Sequence, residues 1–188
     1  RLEISARGGL TNTDALDNSG GVDMSDHEVN IKILLDMLVK RKVIKGKEER
    51  NRILAEMTED VAALVLADNE NQSRALTLDG MRSAASYEEF VALVEEMVSS
   101  EMINRADEDI PTKDELIESP HRERGLPRPL LAKLLGYCKM WAFAQVMQTA
   151  LPDSPSARPF LDGYFPERLR ESFPQYFQEH VLRREIVA

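Results

Sequence analysis

Apolar residues recur at intervals of three and four along most of this chain, and this spacing restricts the fold more than any other feature of the sequence. The interval matches the 3.6-residue turn of an α-helix, so each such stretch predicts a helix with one buried face. Two stretches show it most clearly: Ile31, Leu34, Leu35 and Leu38, and then Phe90, Leu93, Val94, Met97, Val98 and Met102. The pattern predicts a mainly α, multi-helix domain, in which the second stretch is core rather than a cofactor or peptide groove.

Polar residues at fixed spacing predict where several helices begin. A serine or threonine three residues before a glutamate is typical of a capping box, which we expect at Ser25–Glu28, Ser86–Glu89 and Thr112–Glu115. Thr58 is expected to cap a further helix, after a helical stretch from Glu48 to Met57. The basic run from Lys40 to Lys47 is interpreted as a helix end with a glycine stop and a linker; a phosphate-binding patch is the alternative.

A strongly apolar stretch follows Pro127 and Pro129 and runs from Leu130 to Ala150. Because its apolar residues cover nearly the whole circumference, the pattern predicts a central helix with Trp141 buried. Beyond residue 151, prolines punctuate aromatic residues, and this is typical of short helices. Residues 2–17 are the exception. Leu2, Ile4 and Ala6 alternate with polar neighbours before Gly8-Gly9, and Leu10 to Leu16 resume after it, so an extended segment is expected there.

Charge and composition exclude several classes of function. A net charge of −9 over 188 residues argues against non-specific nucleic-acid binding. The single cysteine, Cys138, permits no internal disulfide and favours a cytoplasmic setting. No apolar run approaches the roughly 18 residues needed to span a bilayer, so no membrane partner is expected. The chain starts at Arg1 without an initiator methionine and stops in mid-pattern, so we expect a fragment of a longer protein.

No recognisable catalytic motif is present. The sequence contains no phosphate-binding P-loop, no GxGxxG and no HExxH. His27, His121 and His180 are far apart in sequence; His121 and His180 are interpreted as surface residues, and no metal site is predicted. Cys138 is interpreted as a buried structural thiol rather than a nucleophile. No catalytic residue is therefore predicted within the chain.

The stretch Asp14-x-Leu16-x-Asn18-x-Gly20-Gly21-Val22-x-x-Ser25 resembles the segment that closes the nucleotide-binding domain of glutamate dehydrogenases. The wider run from residue 12 to residue 33 is similar to the large, NAD-specific bacterial enzymes of that family. Gly125-Leu126, Arg128-Pro129 and Tyr164-Phe165-Pro166 are similar to their helical C-terminal region. The chain departs from the small hexameric enzymes at Asp26-His27, where those enzymes carry two aromatic residues.

The resemblance implies roles for four residues. Asn18 would line the cleft beside nicotinamide and substrate, and Gly20 and Gly21 would let the backbone pass close to the cofactor. Ser25 would donate a hydrogen bond to a substrate carboxylate. A helix N-terminus favours a negative charge, which agrees with these roles, but Gly20-Gly21 as a simple turn and Ser25 as a simple cap remain open from spacing alone.

The resemblance also implies an activity for the intact parent enzyme, the oxidative deamination of L-glutamate to 2-oxoglutarate and ammonia with NAD. Residues 1–24 would be the terminal segment of its nucleotide-binding domain, an α/β domain, and residues 25–188 a helical C-terminal domain. The catalytic lysine and aspartate and the dinucleotide loop lie upstream in the family, so the fragment alone is expected to be inactive. Its partners would be the remainder of the same chain and further copies in a homo-oligomer. The alternative is a self-standing helical interaction or regulatory module.

Overall fold

The computed structural model describes residues 1–9 and 11–188, and these residues are largely helical, with no strand among them. The α-helices are α1 (Leu2–Ala6), α2 (Asp14–Asp17), α3 (Ser19–Lys40), α4 (Lys47–Glu56), α5 (Thr58–Ala85), α6 (Tyr87–Ser99), α7 (Lys113–Ile117), α8 (Arg128–Met147), α9 (Arg158–Tyr164), α10 (Glu167–Ser172) and α11 (Arg183–Val187). Short 3-10 turns occur at Arg122–Arg124, Leu151–Asp153, Pro155–Ala157 and Pro174–Glu179. The predicted mainly α, multi-helix fold is confirmed.

The extended segment predicted for residues 2–17 is wrong. Leu2–Ala6 and Asp14–Asp17 are helical, and Leu10 lies outside the described residues. An alternation of only three apolar residues is a weak signal, and a strand also needs a neighbouring strand for its N–H and C=O groups. No other strand exists in the described part of the chain, so local hydrogen bonds such as Ser5 N–H to Arg1 O (3.0 Å) satisfy the backbone instead.

The chain divides into two compact units. The first contains Arg1–Asp17 and Glu70–Trp141, and the second contains Asn18–Asn69 and Ala142–Ala188. The first unit has its own core around α6 and α8, in which Val94 and Leu130 are completely buried. Buried Val91 and Met97, with partly buried Phe90 and Val98, confirm that the α6 stretch is core.

The second unit has a separate core. Leu34, Leu35 and Leu38 of α3 are completely buried, as the spacing predicts, and they belong to one cluster with residues of α4, α9 and α10. Phe165 and Phe177 stack at its centre with ring centroids 4.4 Å apart. Short proline-punctuated helices therefore contribute large side chains to this core.

The helix starts agree with the sequence in part. Thr112 and Glu115 form the complete capping box at the start of α7, which confirms that prediction. Ser86 is the N-cap of α6, but its side chain makes no capping hydrogen bond. Thr58 does not cap α5, because it is the first helical residue and its hydroxyl donates back to Ala55 O at 3.1 Å.

The end of α3 uses a lysine where a glycine stop is predicted. The helix ends at Lys40, as expected for the basic run, and Lys42 takes a positive φ of 62°. Its N–H donates to Val39 O at 3.0 Å and the next N–H, from Val43, donates to Leu38 O at 2.9 Å. This pair of bonds is the Schellman motif, which satisfies the last carbonyls of a helix. Gly46 instead precedes α4 as its N-cap.

Only the first half of α8 is buried. Leu130, Leu131 and Leu134 lie in the core, but Met140 and Trp141 are 59% and 54% exposed. The prediction of a buried Trp141 is therefore wrong. Apolar residues around the whole circumference of a helix do not indicate how much of its length is buried. Cys138 is partly buried against the core, and this burial raises the pKa of its thiol, as expected for a structural cysteine.

None of the helices in the described residues combines the length and the hydropathy that crossing a bilayer requires.

Candidate functional site

The residues to which the sequence assigns a ligand role lie at the start of α3. Asn18 is the N-cap of this 22-residue helix and is exposed, and Gly20 and Gly21 lie in its first turn. The Asn18 carbonyl accepts from Gly21 N–H at 3.0 Å and from Val22 N–H at 3.3 Å, so helical bonding begins here. The helix therefore starts six residues before Ser25, and the glycine pair is not a turn.

Gly20 lies in the first turn of α3 at a point where side chains of α5 approach the backbone closely. A Cβ atom at Gly20 would lie 2.8 Å from Nδ2 of Asn69 on α5, and the neighbouring Ser19 hydroxyl donates to Asn69 Oδ1. Glycine inside a helix costs about 1 kcal/mol relative to alanine. A Cβ atom here would also lie 3.6 Å from Val65 of α5, so this glycine lies where side chains of α5 approach α3.

Ser25 lies inside α3 and makes no cap. Its hydroxyl is exposed and donates to Val22 O at 2.7 Å, so the predicted capping box with Glu28 is wrong. Ser25 lies seven positions after Asn18, which is about two helical turns or roughly 10 Å along the axis. The two side chains therefore project from the same face of α3.

The four predicted residues thus share the first two turns of one helix. The first-turn N–H groups of a helix lack acceptors four residues earlier, and the helix dipole makes this end partly positive. Such an end favours a carboxylate or a phosphate group. The dipole at this end of α3 favours an anionic ligand, while the Gly21 and Val22 N–H groups already donate to the Asn18 carbonyl.

One turn beyond, α3 carries a buried histidine. His27 is 2% exposed, and neither of its ring nitrogens has a hydrogen-bond partner in the part of the chain that the structure describes. Its Nε2 lies 3.8 Å from Oδ1 of Asp23, and its ring stacks on Tyr164 with centroids 4.4 Å apart. Ligand atoms of Asp23, His27 and Asp68 all lie within 4.8 Å of one another.

A second histidine lies deeper in the same unit. His180 is 1% exposed, so its prediction as a surface residue is wrong, whereas His121 is partly exposed. The Nε2 of His180 lies 3.0 Å from Asn30 O, and its Nδ1 accepts from Leu182 N–H at 3.1 Å. Burial lowers the pKa of His180. A neutral ring with its proton on Nε2 satisfies both contacts.

Asn30 links the two histidines. Its Nδ2 donates to the Tyr164 hydroxyl at 2.8 Å, while its carbonyl faces His180. Burial raises the pKa of Tyr164 to about 12, so this phenol stays protonated at neutral pH. These groups hold α3 against α9 and fix the ring on which His27 stacks.

The first unit has an open cleft of about 1150 Å³, lined by Gly8, Asn12, Gly125 and Arg128 among others. The Arg128 guanidinium donates through Nε to Asn12 Oδ1 at 2.7 Å and through an Nη to Ser73 Oγ at 3.0 Å. These bonds fasten the N-terminal segment to α5 and α8 within this unit. Arg128 therefore has a structural role, and none of the predicted ligand residues lines this cleft.

Sequence reasoning missed Asp23, His27 and Asp68. The signal for the first two was their spacing, since residues four apart lie side by side on a helix. Nothing local marks Asp68, because it is brought to them only by the packing of α5 on α3.

Known families match both ends of the chain. A family model described as the catalytic domain of bacterial NAD-glutamate dehydrogenase matches residues 1–79, and one described as the C-terminal part of glutamate dehydrogenase matches residues 123–188. No solved structure matches the chain.

Curated relatives match over the whole chain. A protein named NAD-specific glutamate dehydrogenase from Mycobacterium tuberculosis is 42% identical over 187 residues. Proteins of the same name from Halomonas elongata and Pseudomonas aeruginosa are 39% and 38% identical over 188 residues. The alignments take in 100% of this chain but only 12% of each relative, so the chain spans about one eighth of their length.

Proposed function

Because the chain belongs to the family of bacterial NAD-specific glutamate dehydrogenases, we propose that it acts as part of an enzyme that oxidatively deaminates L-glutamate to 2-oxoglutarate and ammonia and transfers the hydride to NAD. The observation that carries this proposal is identity of about 40% along the entire chain to three relatives of that name. The same observation favours an enzyme over a self-standing interaction module.

Within that enzyme, the start of α3 is the part we assign to ligand binding. Asn18 lines the site beside the nicotinamide and the substrate, and the backbone of Gly20 and Gly21 approaches the cofactor. The exposure of Asn18 and Gly21 supports this assignment. At Gly20 the assignment concerns the backbone alone, because the Asn69 side chain occupies the space where a Cβ atom would lie.

We assign Ser25 to donating a hydrogen bond to a substrate carboxylate. Its proton is donated to Val22 O in this structure, so binding requires the hydroxyl to exchange a neutral acceptor for a charged one. A hydrogen bond to a charged group is worth about 1.5–3 kcal/mol, against about 1 kcal/mol for a neutral pair. The exchange is therefore favourable once a carboxylate is within reach.

The remaining assignments follow from the same family. Residues 1–24 form the terminal segment of the nucleotide-binding domain and residues 25–188 form the helical domain, a boundary that falls inside α3. The helical domain packs on the catalytic region or between subunits of a homo-oligomer in the cytoplasm. The single cysteine supports a reducing compartment.

The overall proposal is tested by assaying the full-length enzyme that carries this chain. We expect NADH formation with L-glutamate and NAD, and much slower formation with L-alanine or with NADP. Absence of glutamate-dependent NADH formation by a folded, purified enzyme would overturn it.

The role of Ser25 is tested separately with Ser25→Ala in that enzyme. We expect kcat/KM for glutamate to fall by about 10-fold to 100-fold, because a charge-assisted hydrogen bond is lost. Ser99→Ala is the matched control, since Ser99 is also exposed and its hydroxyl also donates to the carbonyl three residues earlier, at 3.1 Å. If both variants keep wild-type glutamate kinetics, the assignment of Ser25 is wrong while the activity proposal stands.

A further inference from the structure

His27 is a buried polar side chain of α3. It is 2% exposed, and both Nδ1 and Nε2 lack a hydrogen-bond partner among the residues that the structure describes. Buried polar groups in folded proteins nearly always have a partner, so an exception calls for a physical explanation. A carboxylate oxygen of Asp23, on the same helix, lies 3.8 Å from its Nε2, and Asp68 on α5 places a carboxylate oxygen within 4.8 Å of the other two residues' ligand atoms.

We propose that Asp23, His27 and Asp68 bind a divalent transition-metal ion, and that zinc fits the site best. The proposal is independent of the dehydrogenase activity, because none of the three residues is assigned to substrate or cofactor.

The distances suit a small tetrahedral ion. Zinc–nitrogen and zinc–oxygen bonds of about 2.0–2.2 Å place neighbouring ligand atoms roughly 3.4 Å apart in a tetrahedron. His27 Nε2 and Asp23 Oδ1 are already 3.8 Å apart, and the complete set lies within 4.8 Å. Asp68 is exposed, so a rotation of its side chain can bring the third ligand in.

The ligand types select the metal. Magnesium and calcium prefer sites made entirely of oxygen ligands, whereas an imidazole nitrogen with two carboxylates suits zinc and its first-row neighbours. Three protein ligands leave a fourth position of the tetrahedron for water or for an anion.

The surrounding structure holds the ligands in place. Tyr164 stacks on the His27 ring and so fixes the direction in which Nε2 points. One turn earlier, the close contact of Gly20 with Asn69 brings α3 and α5 together beside Asp23 and Asp68. The ion would therefore cross-link α3 to α5 next to the first turns of α3. Without an ion, the alternative is that His27 pairs with Asp23 alone.

The test uses the 188-residue chain, prepared without a histidine tag, stripped with a chelator and titrated with zinc chloride by calorimetry. We expect one zinc ion per chain and a rise in thermal midpoint on addition of zinc. Asp68→Asn should weaken zinc binding by at least 10-fold while leaving the metal-free midpoint near wild type, because Asp68 is exposed. Asp26→Asn, an exposed carboxylate on the same helix outside the cluster, is the matched control and should bind as wild type does.

Cobalt(II) supplies a second measurement that depends on the histidine. The wild-type chain should show the intense visible absorption of four-coordinate cobalt, and His27→Gln should lose it even if that variant is less stable. Saturable binding with one ion, sensitivity to Asp68→Asn and insensitivity to Asp26→Asn support the site. Absence of zinc binding overturns the proposal and indicates that His27 pairs with Asp23 alone. Zinc binding that Asp68→Asn and His27→Gln leave unchanged also overturns it and indicates adventitious binding elsewhere.

Discussion

Gly125 offers a stringent test of the packing in the first unit. It follows the 3-10 turn Arg122–Arg124 and has φ 78° and ψ −170°, a backbone conformation that residues with a Cβ atom rarely adopt. A Cβ there would lie 2.6 Å from the carbonyl oxygen of Gly80 and 2.8 Å from the amide nitrogen of Ala84. It would also press on the Ser83 hydroxyl, which accepts from Leu126 N–H at 3.0 Å. Both backbone contacts belong to α5, which cannot move away as a flexible side chain could.

The effect of Gly125→Ala can be estimated from these contacts. Holding a non-glycine residue in such a backbone region costs about 1–3 kcal/mol. Forcing a methyl group into a filled site costs about 1–3 kcal/mol more. We therefore expect the free energy of unfolding to fall by about 2–6 kcal/mol, which for a chain of this size lowers the thermal midpoint by about 4–24 °C.

The assay is urea unfolding of the 188-residue chain, followed by circular dichroism. Gly136→Ala is the matched control, because Gly136 lies inside α8 with nothing within 4 Å of its Cβ position. That substitution should stabilise the protein by about 0.5–1 kcal/mol. If Gly125→Ala unfolds at the same urea concentration as wild type, the close approach of this turn to α5 is not present in solution.

Three further outcomes are expected. Trp141→Ala should lower the free energy of unfolding by about 1 kcal/mol or less, rather than by the 3–5 kcal/mol typical of a buried aromatic residue. The fluorescence of the wild-type chain should be that of a hydrated tryptophan, and blue-shifted emission would contradict the 54% exposure of Trp141. Burial lowers the pKa of His180 in the folded chain, so as the pH falls the unfolded chain takes up this proton before the folded chain does. The free energy of unfolding should therefore decrease as the pH drops below about 6.5, and it should decrease less in His180→Gln. Equal pH dependence of the two proteins would refute this. The 188-residue chain alone should bind neither NAD nor glutamate, and saturable sub-millimolar binding in calorimetry would contradict that expectation.

The helices could be predicted because helical periodicity is a local property. The apolar spacing of residues 31–38 is enough to place Leu34, Leu35 and Leu38 in a core, and Thr112 with Glu115 is enough to start α7. Periodicity does not show how much of a helix's length is buried by neighbouring elements. Trp141 continues the same apolar pattern as Leu134, yet one is exposed and the other buried, because coverage depends on which other elements reach that turn.

The candidate ligand residues at the start of α3 could be named from the sequence, but their conformation could not. The glycine pair and Ser25 are locally typical of a turn followed by a cap. The structure extends the helix through them, and Ser25 becomes an interior residue whose hydroxyl bonds backwards to Val22. The structure also places Gly20 against the side chain of Asn69, a residue 49 positions further along the chain, which no local pattern reveals.

The same contact explains why the carboxylate–histidine cluster escaped the sequence analysis. Asp23 and His27 are adjacent on any helix that contains both, but a cap at Ser25 would have separated them into a loop and a first turn. Asp23 and His27 share a face because both lie inside α3, and Asp68 of α5 lies near that face, one position before the Asn69 side chain that contacts Gly20. A larger residue at Gly20 should therefore disturb two properties at once, the start of α3 and the distance between Asp23 and Asp68. A Gly20→Val variant that keeps wild-type zinc affinity would show that the cluster does not depend on this close approach.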